Sequence, residues 1–164
     1  MEEFISLVKE ANKAFETADH LAFVTYPLIN DTKLIILILE NLNNALAKTM
    51  DAFLYYDKLH KRIQFIPNDF NSKFELFKTR SAKYYNLSYQ NIEIILEIKE
   101  FIDERKKSQM EFSRKNSFVL YSNLQLKTIS LDKVKNYISR AKQIILSLNS
   151  LSKQFQNRFN HVNT

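Results

Sequence analysis

The sequence predicts a mainly α fold, a single antiparallel bundle of four to five helices with a small β-hairpin before the last helix. Three observations carry this reading. Ile35, Leu39, Leu42, Leu46, Thr49, Phe53, Tyr56 and Ile63 recur at roughly 3.5-residue spacing, the period of a helix packed lengthwise on other helices. Val134, Tyr137, Ile138, Ala141, Ile144, Ile145, Leu148, Leu151 and Phe155 repeat that pattern near the end of the chain. Between them, Ser117–Ser122 and Leu126–Ile129 are rich in β-formers and lack a helical period.

Each element has a local reason. Phe4, Leu7, Val8, Ala11, Phe15, Ala18, Leu21 and Ala22 predict helix 1 over residues 3–25, with Pro27 ending it because the residue before a proline avoids the helical region. Asn30 or Asp31 then caps the long helix 2, Asp31 to Ile63, and the short link makes the pair antiparallel neighbours. Ala45 and Ala52 leave room on helix 2 for close approach. Pro67-Asn68-Asp69 is a break, and Ser72-Lys73-Phe74-Glu75 has capping-box spacing, predicting helix 3 from about Lys73 to Tyr85. Asn86-Leu87-Ser88 reads as a weak joint before helix 4, Tyr89 to about Lys107, so helices 3 and 4 are either separate or one bent helix. The hairpin turns at Asn123-Leu124-Gln125 and has to lie on the bundle, because a lone hairpin is marginal in water. Ser130 caps the last helix, Leu131 to about Phe155, with Ile129 and Val134 at the staple positions and Asp132 in the first turn. The expected domain is 1–156, followed by a frayed tail, 157–164.

Composition narrows the chemistry. The 164 residues are 45% hydrophobic and 26% charged, enough for one domain with its own core. Glycine is absent, so no phosphate-cradling Gly-rich loop exists; cysteine is absent, so neither disulfide nor thiolate metal site exists. No cofactor is expected. Met1-Glu2-Glu3 does not read as a secretory signal, and the longest apolar run, Leu34–Leu39, is far short of the ~20 residues of a membrane span. A cytoplasmic protein without membrane contact is expected.

The net charge of +6 is uneven. Residues 1–60 hold nine acids against five lysines, a balance of −4, and the remainder carries +10. Such asymmetry marks an anionic partner, although an AT-rich genome also enriches Lys, Asn, Ile, Phe and Tyr without selection for binding. The densest stretch, Arg105 to Lys142, has ten bases against Glu111 and Asp132, interleaved with Phe112, Phe118 and Tyr121. Cations with aromatics hold phosphate backbones and stack bases; the bland alternative is solvated lysines over core-facing aromatics. Arg105, Lys106, Lys107, Arg114, Lys115 and Lys127 are the candidate anion or nucleic-acid contacts. Arg114 and Lys115 precede the first predicted strand, with a tie from Arg114 to Glu97 or Glu100 as the structural alternative.

No catalytic or metal set emerges. His20, His60 and His161 are the three histidines, and the first two lie at opposite ends of the predicted helix pair. Asp57 and His60, one turn apart, read as a solvated pair. Glu93 with Glu97, Glu97 with Glu100 and Asp103 with Glu104 are close carboxylate pairs, but Glu97 with Lys99 and Glu100 reads as a solvent-facing charged face, and nothing places two acids across a cleft as paired-acid catalysis requires.

Asn44-Ala45-Leu46-Ala47-Lys48 and Ala52-Phe53-Leu54, on a long second helix between an early helix pair and a long last helix, resemble the HEPN helical bundles over about residues 10–155. Active HEPN ribonucleases carry an Arg followed four to six residues later by His. No Arg precedes His20 or His60 here and Arg158 is three positions before His161, so the nuclease residues do not carry over. Ala18-Asp19-His20-Leu21, Val24-Thr25-Tyr26-Pro27, Glu111-Phe112-Ser113-Arg114-Lys115 and Leu126-Lys127-Thr128 resemble a group of uncharacterised helical proteins of small-genome archaea. That resemblance implies one domain over most of the chain and no particular activity.

The functional expectation is a non-catalytic interaction module, contacting a protein partner or a second copy through the end of helix 2, where Tyr55, Tyr56 and Leu59 make most of the circumference apolar or aromatic. The alternatives are RNA binding through the basic tract and a degenerate HEPN-type ribonuclease.

Overall fold

The computed structural model describes residues 1–162, with side chains to Phe159. It is mainly α, with five helices and a three-stranded antiparallel sheet before the last helix.

Helix α1 runs Glu2–His20, widens into a π-turn at Leu21–Thr25 and closes with Tyr26–Ile29. Pro27 therefore does not end it, contrary to the sequence expectation. The Tyr26 N–H reaches back five residues to Leu21 O, and this wider turn admits a ring that would clash with an ordinary helical carbonyl. The helix stops at Asn30, whose φ of 53° is left-handed. Asp31 Oδ1 then accepts the Lys33 N–H at 2.9 Å and starts α2, Lys33–Leu59.

Helix α2 is central. Seven of the eight predicted stripe positions lie in it and are buried, as are Ile36, Ile38, Ala45, Met50, Ala52 and Leu54, because α1, α3, α4 and α5 surround it; the eighth, Ile63, is buried just beyond its end. Thr49 is tolerated there because its hydroxyl donates to Ala45 O at 2.7 Å. The helix ends at Lys61, φ 57°, with Arg62 N–H donating to Asp57 O and Lys61 N–H to Lys58 O. This is a Schellman closure made without glycine.

Helix α3 consists of Phe70–Leu76, a second π-turn at Phe77–Ser81, and Ala82–Tyr84. Its cap is Asp69, which accepts the Ser72 N–H at 2.9 Å, so the helix begins earlier than the Ser72 capping box predicts. Asp69 wins because it already sits in an extended conformation, with its oxygen facing the open N–H groups. Asn86, again left-handed, separates α3 from α4, Tyr89–Lys107; the two helices are distinct.

Strands β1 (Met110–Arg114), β2 (Ser117–Ser122) and β3 (Gln125–Ser130) form a meander of order β1-β2-β3. The expected hairpin is the β2–β3 pair, turning on Asn123 and Leu124, both at positive φ. β1 is an added strand. Phe118, Leu120 and Ile129 face the bundle and join its core. Ser130 Oγ accepts the Lys133 N–H at 3.1 Å and opens α5, Leu131–Val162. That helix continues past Phe155 into the segment expected to fray; residues 163–164 lie outside the described residues. Asn12 of α1 and Asn149 of α5 exchange two amide hydrogen bonds at 2.8 and 2.9 Å, and Phe4 packs edge-on against Phe155. No helix among the described residues is long and apolar enough to cross a membrane.

Candidate functional site

The fold splits the basic tract. Arg105, in the last turn of α4, bonds Glu111 at 3.1 Å and Glu40 at 3.4 Å. Lys127, on the bundle-facing side of β3, pairs with Glu104. Lys133 lies 4.0 Å from Glu97, and Arg140 lies 3.9 Å from Glu93 and also donates to Gln90 O. Of the α4 carboxylates, Glu100 is exposed and unpaired among the described residues and Asp103 pairs with Lys99 of its own helix, whereas Glu93, Glu97 and Glu104 reach other elements. These three tie α4 to β3 and α5, and Glu97 also accepts the Tyr137 hydroxyl at 2.7 Å. Burial first, and then that bond, push the Tyr137 phenol far above the ordinary tyrosine range.

Lys106, Lys107, Arg114 and Lys115 are exposed and make no ion pair among the described residues. They do not form one patch. Lys106 and Lys107 lie beside the Met110 end of β1, whereas Arg114 closes that strand and Lys115 turns into β2 at φ 53°. Four strand steps separate the ends, roughly 14 Å at ~3.4 Å per residue. Arg114 therefore ends the first strand and Lys115 follows it, instead of both preceding it, because β1 is a strand the sequence pattern did not reveal. Neither Glu97 nor Glu100 bonds Arg114.

Register puts Met110, Phe112 and Arg114 of β1 on the same side as Val119 and Tyr121 of β2 and Leu126 and Thr128 of β3. This is the face turned away from the bundle. Met110 is 61% and Leu126 63% exposed, Phe112 is exposed, and Val119 is buried beneath them without joining the main core. The result is a continuous apolar face with cations at both ends. By contrast, the aromatic end of α2 is consumed within the chain. Tyr56 is buried between Phe4 at 5.2 Å and Phe155 at 5.7 Å, Tyr55 is partly buried, and Leu59 alone of the three is exposed.

A buried polar constellation escaped the sequence reading. Asp57 is 1% exposed and bonds not His60 but Arg62, Ser81 and Tyr85. Oδ1 accepts from Arg62 Nη1 at 2.8 Å and from the Tyr85 hydroxyl at 2.7 Å; Oδ2 accepts from Ser81 Oγ at 2.5 Å. The Schellman turn swings Arg62 back toward Asp57, and the α3 π-turn supplies Ser81. The guanidinium lies 4.2 Å from the Tyr84 ring centroid. Burial opposes the Arg62 charge, but Asp57, Tyr85 and Tyr84 outweigh it and raise the guanidinium further. Burial and the Asp57 bond push the Tyr85 phenol far up, so it remains a donor. His60 stacks on Tyr56 at 4.1 Å and shares a 2.9 Å hydrogen bond with the Tyr56 carbonyl. His20 contacts Thr25, and the His161 side chain lies outside the described residues. Among the described residues no three His, Asp or Glu side chains converge for a metal ion.

No known protein family matches the chain, and no curated protein or solved structure matches it either.

Proposed function

We propose that the protein is a non-catalytic interaction module whose contact surface is the outer face of the three-stranded sheet. The observation that carries this reading is the uncovered row of Met110, Phe112 and Leu126 over Val119, bounded by Lys106 and Lys107 at one end and Arg114 and Lys115 at the other. An uncovered apolar face costs solubility, and contiguous patches of this kind mark interaction sites. The cations select the occupant. Two copies stacked face to face would bring one cationic end onto another in either two-fold orientation, a repulsion that costs affinity. A polypeptide with an apolar centre and acidic flanks meets both features. RNA is the second reading, favoured by the four unpaired cations. Phe112 is the one well-exposed aromatic on the face, whereas Met110, Leu126 and Val119 are aliphatic, a poor platform for stacking bases.

Selection from a random displayed peptide library tests this. Selected peptides should combine bulky apolar residues with flanking Asp or Glu, and Phe112→Asp should abolish their binding without lowering the melting temperature. Binders indifferent to Phe112→Asp would refute the reading. Oligoribonucleotide binding that weakens in Arg114→Ala/Lys115→Ala, and whose salt slope flattens by about one to two phosphate contacts, would favour RNA instead.

A further inference from the structure

The Asp57 constellation lies far from the sheet face and does more than tie α2 to α3. A buried carboxylate paired with a guanidinium that stays 29% exposed contributes less to stability than well-packed apolar side chains would. What this pair achieves is to fix one arginine. Arg62 uses Nη1 for both Asp57 and Tyr85, at 2.8 Å each, and rests on Tyr84, while Ser81 holds the other Asp57 oxygen. Its Nε and Nη2 have no hydrogen-bond partner among the described residues.

That arginine borders a cleft of about 550 Å³ whose other polar walls are Thr79, Arg80 and Lys83 of α3. Its remaining acidic wall is Asp57, whose oxygens are already engaged by Arg62, Tyr85 and Ser81. Three cations therefore face one carboxylate that is fully occupied, and neither Arg80 nor Lys83 has an ion-pair partner among the described residues. Arg80 and Tyr84 lie four residues apart, as do Thr79 and Lys83, so one side of α3 presents guanidinium, ammonium and phenol together, while the Thr79 hydroxyl donates to Glu75 O at 2.7 Å. The π-turn at Phe77–Ser81, a distortion that often marks functional sites, carries Thr79 and Arg80 as well as Ser81.

We propose that this cleft binds a small phosphate-bearing ligand, with Arg62 as the preorganised fork and Arg80 and Lys83 as the exposed cations. A held guanidinium loses little freedom on meeting a phosphate, and its planar donors match phosphate oxygens in pairs. Tyr84 offers a hydroxyl on the same wall. The cleft volume admits a ligand the size of a nucleoside monophosphate as readily as pyrophosphate.

The test is titration calorimetry of the full chain with sodium pyrophosphate and, separately, with AMP, on wild type and on Arg80→Gln/Lys83→Gln. Both replaced side chains are exposed, so the variant should fold with an unchanged circular dichroism spectrum. Wild type should bind at least one of the two probes, and the variant should bind it at least tenfold more weakly. Pyrophosphate binding with AMP excluded would identify a free phosphate ligand; tighter AMP binding would identify a nucleotide seated against Tyr84. Equal affinity of wild type and variant for the probe, or no binding of either probe, would overturn the proposal. Binding of an oligoribonucleotide alone, with both small probes silent, would overturn it too.

Discussion

Replacing Asp57 by Ala should be among the most damaging single substitutions in the protein. The carboxylate is 1% exposed and accepts three hydrogen bonds, so its removal leaves Ser81, itself fully buried, without its acceptor. A buried unsatisfied hydroxyl costs about 1–3 kcal/mol. Tyr85 loses a bond from a partly buried phenol, adding about 1 kcal/mol. Arg62 loses its counter-ion, but its side chain is 29% exposed and can turn to water, which limits that part of the loss. Together these give about 2–4 kcal/mol, reaching the range for breaking a buried pair. For a chain of this length each kcal/mol shifts the midpoint by about 2–4 °C, so the melting temperature should fall by roughly 4–16 °C. Thermal and urea unfolding followed by circular dichroism at 222 nm would measure it, with Ser81→Ala expected to cost about 1 kcal/mol. A loss below about 1 kcal/mol for Asp57→Ala, no larger than expected of an ordinary surface change, would refute the claim that this carboxylate ties α2 to α3.

Leu124, 87% exposed and left-handed at φ 61°, has no packing to lose. Leu124→Gly should therefore stabilise the β2–β3 turn by about 1 kcal/mol, seen as a higher urea midpoint. Ser130→Ala removes the cap of α5 and should cost about 1 kcal/mol by the same measurement. Alkali should unfold the protein, because Tyr85 and Tyr137 hold their protons in the fold to higher pH than in the unfolded chain. Their contribution is complete below the unfolded value of about 10 and declines above it, by roughly 1.4 kcal/mol per pH unit for each tyrosine. Urea midpoints at about pH 9 and about pH 11 should show a smaller drop in Tyr137→Phe than in wild type.

The parts of the fold legible in sequence are those in which burial follows a simple period. The stripes of α2 and α5 were legible because every one of their apolar positions packs inward. Local rules failed where the backbone had an unusual option. Pro27 reads as a terminator, yet a π-turn just before it lets the helix continue. Strand β1 gave no signal because all five of its residues are exposed, so burial imposes no inward-outward alternation on its sequence. With no glycine in the chain, turns fall on Asn30, Lys61, Asn86, Lys115, Asn123 and Leu124. The asparagines are readable as such because asparagine tolerates the left-handed region; Lys61 and Leu124 are not.

The candidate sites were less legible because their contacts are distant along the chain. Asp57 meets Ser81 and Tyr85 from across the α2–α3 turn, beyond the reach of helical spacing. One signal was present: Met50, Phe53 and Asp57 continue the inward period, so the acid stands where the helix demands a buried side chain. The basic tract was visible as composition. Which of its members are spent on Glu40, Glu93, Glu97, Glu104 and Glu111 depends on how α4, the sheet and α5 meet.

The sheet face is the central claim, and amide chemical-shift mapping tests it most directly. A library-selected acidic-flanked peptide titrated into the 15N-labelled protein should shift Met110, Phe112, Val119, Tyr121 and Leu126, with Lys106, Lys107, Arg114 and Lys115 at the margins. Shifts concentrated instead around Leu59 at the end of α2, with the sheet silent, would contradict it.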